Sequence, residues 1–168
     1  MNYLNLDKKK VEIVGAKLNE LLASYHIFYQ NLRAFHWNLQ SNSFFVLHEK
    51  FEELYNDAQG KVDEIAERVL TLRVKPLSRY SEYLQVSQIA EANSQLKDRA
   101  MLEVVLKNYT KLIEQERQII EVAEDANDEG TIDLIGAIIR ESEKTCWMIS
   151  SWLEQNEKSE QKVEMSFN

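Results

Sequence analysis

Val11, Val14, Leu18, Leu21, Tyr25, Phe28, Leu32 and Phe35 follow one another at alternating steps of three and four residues. That period puts all eight on one face of an α-helix and excludes a strand, whose faces repeat every second residue. Sustained over so many turns, it calls for long helices packed against one another at shallow angles. The spacing predicts a first helix from about Asp7 to Trp37. The Ser41-Asn42-Ser43 cluster interrupts the pattern and offers N-cap residues. A second helix is expected over about Phe44 to Leu72, with Phe51, Leu54, Ala58, Val62, Ile65, Val69 and Leu72 inward. Pro76, the one proline in 168 residues, ends any continuation.

The stretch from Leu77 to Ala92 carries Tyr80, Tyr83, Leu84, Val86 and Ile89. It is too long for a tight connection and predicts a short helix. A third helix follows over about Ser94 to Asn127, with Leu102, Leu106, Tyr109, Ile113 and Ile120 inward. Asp128-Glu129-Gly130 reads as a turn. Thr131 is the expected cap of a fourth long helix ending near Glu154, with Ile135, Ile138, Ser142, Ile149 and Trp152 along its stripe. The polar stretch from Gln155 to Asn168 is expected to be a mobile tail. Four long helices with one long middle connection make an all-α, ferritin-like four-helix bundle with a short extra helix between helices two and three. One domain over 1–168 is expected, its core bundle at about 5–154.

Charge and cysteine usage narrow the function classes. A formal net charge of −8 disfavours general affinity for nucleic acid and suits the attraction of cations. The single cysteine, Cys146, has no partner for a disulfide, which fits a reducing cytosol. The N-terminus lacks an apolar signal core, and no apolar run approaches the length of a membrane span. A cytoplasmic protein is expected.

The chemistry concentrates on the second helix. His48/Glu52 and Asp63/Glu67 are each spaced i,i+4, so each pair shares a helical face. Eleven residues separate Glu52 from Asp63, close to three full turns, so the two pairs also share a face. Along the axis, however, they lie roughly 16 Å apart, whereas metal–ligand bonds are about 2.0–2.2 Å. One ion cannot touch both pairs of one straight helix. If both serve one site, a second copy must supply half of it, with two such helices antiparallel about a two-fold axis. Imidazole with carboxylate suits Fe²⁺, Mn²⁺ and Zn²⁺. The plain alternative is a solvated helix face. A di-iron centre inside one bundle uses Glu-x-x-His motifs, and the chain has none.

The strings Phe35-His36-Trp37-Asn38, Phe44-Phe45-Val46-Leu47-His48-Glu49-Lys50-Phe51 and Val62-Asp63-Glu64-Ile65-Ala66-Glu67-Arg68 resemble the Dps family of miniferritins. The family pattern is His-Trp, a histidine twelve residues later, then Asp-x-x-x-Glu-Arg, here in the same order and spacing. The Thr131-x-Asp133 start of the last helix matches as well, and the likeness covers about residues 5–154. It implies a hollow homo-dodecamer that oxidises Fe²⁺, usually with hydrogen peroxide and otherwise with dioxygen, and stores the ferric product as mineral. It implies ferroxidase centres at two-fold interfaces, with His36, His48 and Glu52 from one subunit and Asp63 and Glu67 from its partner. His36, Asp63 and Glu67 would hold the tighter iron. Trp37 would take up stray oxidising equivalents, its alternative being a packing aromatic at a helix end.

The resemblance further implies iron entry at negative pores on three-fold axes, which would be lined here by Asp125, Asp128, Glu129 and Asp133. The plain role for Asp128, Glu129 and Asp133 is to cap the last helix and favour its dipole, and both roles can hold for the same residues. Three departures stand out: Glu52 replaces the usual Asp, Ser41 a common Gly, and Arg73-Val74 a common Gly pair. His26 matches no ligand position and is expected to pack or face solvent. The family's DNA binding usually needs a Lys-rich tail. Lys8-Lys9-Lys10 is the one basic run near a terminus, so DNA binding is expected to be weak or absent. The rival functions are nucleoid protection with secondary ferroxidation, and a structural helical oligomer with a decayed metal site.

Overall fold

The computed structural model describes residues 4–166, with side chains described as far as residue 155. Five helices follow in order: α1 (Lys8–Asn38), α2 (Phe44–Thr71), α3 (Tyr80–Val86), α4 (Asp98–Ala126) and α5 (Glu129–Ser166). The four long ones form the bundle. α1 packs on α2, α3 and α4, and α4 packs on α5. All eight residues of the first stripe are buried, as are Phe51, Leu54, Ala58, Ile65, Val69 and Leu72 of the second. None of the described helices is long and apolar enough to cross a membrane.

Local chemistry explains the helix ends. Asp7 starts α1, its Oδ1 accepting from the Lys9 and Lys10 amides at 3.0 Å each. α2 closes with the Val74 amide on the Val69 carbonyl at 3.1 Å, while Arg73 takes φ 63°, the left-handed turn that favours glycine. Val74 then folds back onto α1 at Gly15, where a Cβ would meet its Cγ2 at 2.6 Å. The two non-glycine residues after α2 are thus matched by a glycine on the helix they cover.

Two sequence expectations are corrected. Thr131 does not cap α5. Asp128 does: its Oδ1 accepts from the Thr131 amide at 3.1 Å, its Oδ2 accepts from the Thr131 hydroxyl at 2.6 Å, and Arg68 of α2 donates to the same carboxylate. A carboxylate has enough lone pairs for all three donors, so the helix starts at Glu129, ahead of Thr131. The helix also does not stop near Glu154 but runs to Ser166, because nothing after Gly136 is glycine or proline. The last two residues of the expected tail, Phe167 and Asn168, lie outside the described residues.

A polar layer crosses the middle of the bundle, one residue from each long helix: Tyr25, Lys61, Glu116 and Ser142, all buried. The Tyr25 hydroxyl donates to Glu116 Oε1 at 2.7 Å, and Glu116 Oε2 has no hydrogen-bond partner among the described residues. Lys61 Nζ reaches outward to Asp57 at 2.5 Å and Glu141 at 3.4 Å. Burial pushes the Glu116 carboxyl up to about 7, opposed by the Tyr25 hydrogen bond and the Lys61 charge.

Candidate metal centre

His36 ends α1 and His48 begins α2, and the short connection folds the two rings face to face, centroids 3.7 Å apart. Each ring is held by the other's backbone. His36 Nδ1 lies 2.8 Å from the His48 carbonyl, and His48 Nδ1 lies 3.1 Å from the His36 carbonyl. A carbonyl only accepts, so each Nδ1 carries a proton, and the nitrogen of each ring that can offer a lone pair to a metal is Nε2. Hydrogen bonds of this kind orient a metal-binding histidine. Phe44 stacks on the outer face of His48 at 4.9 Å.

One turn along α2, Glu52 is exposed and accepts from the Tyr55 hydroxyl at 3.3 Å. Tyr55 also stands edge-on to His36 at 5.4 Å, and burial raises its hydroxyl pKa, with Glu52 adding to the effect. Sequence reasoning misses Tyr55, although its i,i+3 spacing from Glu52 is a usable signal. Trp37 is 59 % exposed, with the Arg33 guanidinium 4.6 Å from its ring centroid. It stands outside the buried core, packed on one side by Arg33.

The other expected ligands lie elsewhere. Asp63 and Glu67 are exposed on α2, their carboxylates without ion-pair or hydrogen-bond partners among the described residues. The rise of the helix keeps them roughly 16 Å from Glu52. Among the described residues, no three His, Cys, Asp or Glu side chains of one chain group closely enough to hold an ion.

The acidic junction divides as well. Asp125, Glu129 and Asp133 are exposed, and Asp125 pairs with Lys10 at 3.1 Å. Asp128 is 2 % exposed and spent on the α5 cap and Arg68, so it adds no open carboxylate to an entrance.

The chain has known relatives. The ferritin-like domain model matches residues 15–159. A "DNA protection during starvation protein" of Porphyromonas gingivalis is 41% identical over 86% of this chain and 98% of its own length. A crystal structure of a Dps protein from Vibrio cholerae O1, described as a member of a superfamily of ferritin-like diiron-carboxylate proteins, superposes with a TM-score of 0.88. It is 42% identical and covers 91% of this chain and 96% of its own. The chain belongs to the Dps family of ferritin-like proteins. An uncharacterised Haemophilus influenzae protein, 43% identical over 88% of this chain and 92% of its own, is similar over the same span. Membership in the Dps family gives the helix order a meaning. The ligand-type residues of this miniferritin stand on α1 and α2 rather than at the bundle centre, where, among the described residues, one carboxyl group lies beside a phenol and an ammonium.

Proposed function

We propose that this protein is a ferroxidase and iron-storage subunit that binds Fe²⁺ at sites shared by two copies, oxidises it with hydrogen peroxide, and stores the ferric mineral within a shell of twelve copies. One observation carries this reading. Two imidazoles, where α1 ends and α2 begins, are oriented by backbone carbonyls, while two carboxylates without partners among the described residues stand toward the far end of α2. A two-fold axis near the middle of α2 brings one end of each copy against the other end of its partner. The completed set is His36, His48 and Glu52 with the partner copy's equivalents of Asp63 and Glu67, a nitrogen and oxygen set suited to Fe²⁺.

The chemistry follows from pairing. A lone Fe²⁺ gives peroxide one electron and releases hydroxyl radical. Two Fe²⁺ at one site give two electrons together, so peroxide becomes two hydroxides and both irons become Fe³⁺. Trp37, exposed beside His36, is the residue for oxidising equivalents that escape. The test is anaerobic Fe²⁺ titration followed by peroxide. Saturable binding per subunit and rapid oxidation without radical release are expected. Failure to bind Fe²⁺ would favour a structural oligomer.

Nucleoid protection is the lesser reading, because the net charge of −8 opposes phosphate contacts. Iron entry is assigned to Asp125, Glu129 and Asp133, whose repetition about a three-fold axis would focus a negative potential. A Glu129→Gln/Asp133→Asn variant should assemble and reach the same final iron content. It should fill more slowly at low ionic strength, and the deficit should shrink as salt rises. Equal rates at low salt would move the entrance elsewhere. Asp128 is left intact in this variant, since losing it would uncap α5.

A further inference from the structure

Among the three carboxylates of the site, only Glu52 has a side-chain hydrogen bond within the described residues, from the Tyr55 hydroxyl to its Oε1 at 3.3 Å. Tyr55 lies three residues further along α2, on the same face. Its half-buried ring stands edge-on to two neighbours, Tyr29 at 6.1 Å and His36 at 5.4 Å, with 82° between planes in each case. Tyr29 in turn carries the Arg33 guanidinium 5.1 Å from its ring centroid. Contacts from α1 thus fix the Tyr55 ring, and the fixed ring aims its hydroxyl at an otherwise exposed carboxylate.

We propose that Tyr55 is a positioning residue of the ferroxidase site, its hydroxyl holding Glu52 Oε1 so that Oε2 is turned to the second, less tightly held iron. The proposal rests on the two-copy ferroxidase reading and adds to it a residue that touches no iron. The need for such a residue comes from the side chain at position 52. Glu52 stands where Asp is usual, and its extra methylene adds one rotatable bond. Binding iron freezes that freedom, and the lost entropy subtracts from affinity. A hydrogen bond already made in the free protein orders the carboxylate beforehand and lowers that cost. A phenol suits the task. It keeps its proton at neutral pH, donates to one carboxylate oxygen and leaves the other oxygen's lone pairs available. Glu52 Oε2 has no partner among the described residues. The two imidazoles of the site are oriented by backbone carbonyls in the same manner, so His36, His48 and Glu52 are all set in place before iron arrives.

Tyr55→Phe removes the hydroxyl and keeps the ring, with its contacts to Tyr29 and His36. Anaerobic Fe²⁺ titration of the assembled protein, with no oxidant present, reads binding apart from turnover. The first stage, held by His36 with the partner copy's equivalents of Asp63 and Glu67, is expected to be unchanged. The second should weaken by roughly 10-fold, the low end of the range for groups that support a metal ligand, because 3.3 Å is long for a bond between two oxygens. Glu52→Asp supplies the control. Its shorter carboxylate has one rotatable bond fewer and draws back from the hydroxyl. Adding Tyr55→Phe to it should change the second stage by less than about 2-fold, the mark of an effect that runs through Glu52. An unchanged second stage in Tyr55→Phe would overturn the proposal. So would an equal loss at both stages, or the same loss in the Glu52→Asp background, since either would make the hydroxyl a general structural support. If wild type binds Fe²⁺ in two stages and Tyr55→Phe matches it, only the role of Tyr55 falls. If wild type binds no Fe²⁺, the ferroxidase reading falls and takes this proposal with it.

Discussion

Replacing Asp63 with Asn and Glu67 with Gln is expected to abolish rapid Fe²⁺ oxidation as completely as replacing His36 and His48 with Ala. Loss of even a supporting group at a metal site costs 10- to 100-fold, so loss of two ligands should cost more than about 100-fold. The equivalence is the informative part, because within one chain the pairs are roughly 16 Å apart. Two independent sites would leave one half of the binding intact in each variant. A shared site loses all of it in both. The carboxylates are exposed and unpaired, so their replacement should leave the helix and the assembly in place. Anaerobic Fe²⁺ binding and the initial rate after peroxide addition, on shells verified by size, read the outcome. Partial binding in either variant would argue for two separate sites.

The second large effect lies in the bundle centre. Glu116 is fully buried, and its carboxyl is pushed up to about 7. An unfolded glutamate titrates near 4.3. Between those values the folded chain holds a proton that the unfolded chain has released. Stability therefore falls as pH rises through this window and stays reduced above it. The deficit at pH 8 is on the order of 3 kcal/mol per chain. Glu116→Gln keeps an acceptor for the Tyr25 hydroxyl and removes the charge. It is expected to unfold at higher denaturant than wild type at pH 8, with the gain disappearing near pH 4.5. Denaturation at matched chain concentration measures this, since assembly adds to apparent stability. A gain of the same size at both pH values would assign it to packing rather than to the buried charge.

The helical stripes are legible because their period is a local property, and every residue of the first one is buried. The polar layer is half legible. Glu116 falls three residues after Ile113 and four before Ile120, an inward position in the stripe, so a charged residue there is itself the signal. Lys61 carries the same sign, three residues after Ala58 and four before Ile65, but of the two carboxylates that pair with it only Asp57 is local, Glu141 lying eighty residues away. The cap of α5 is ambiguous in sequence for a similar reason. Asp128 and Thr131 are both good cap residues, and what decides between them is Arg68, distant in the chain. At the site, the residue types and spacing are readable, including the need for a second copy. The reciprocal bonds that fix both rings depend on the fold of the connection between α1 and α2, and the cavity lined by His26 and Asp63 is completed by Tyr80 of α3. Neither can be read from spacing on a single helix.

The shared site is tested most directly by complementation. A His36→Ala/His48→Ala chain and an Asp63→Ala/Glu67→Ala chain, each inactive alone, are unfolded, mixed in equal amounts and reassembled into verified mixed shells. A two-fold interface repeats each contact twice, so every mixed pair rebuilds one intact site and one doubly defective site. Random mixing then restores about a quarter of wild-type Fe²⁺ binding and oxidation. Recovery near that fraction is the predicted result, and mixed shells with no recovery would contradict a site built by two copies.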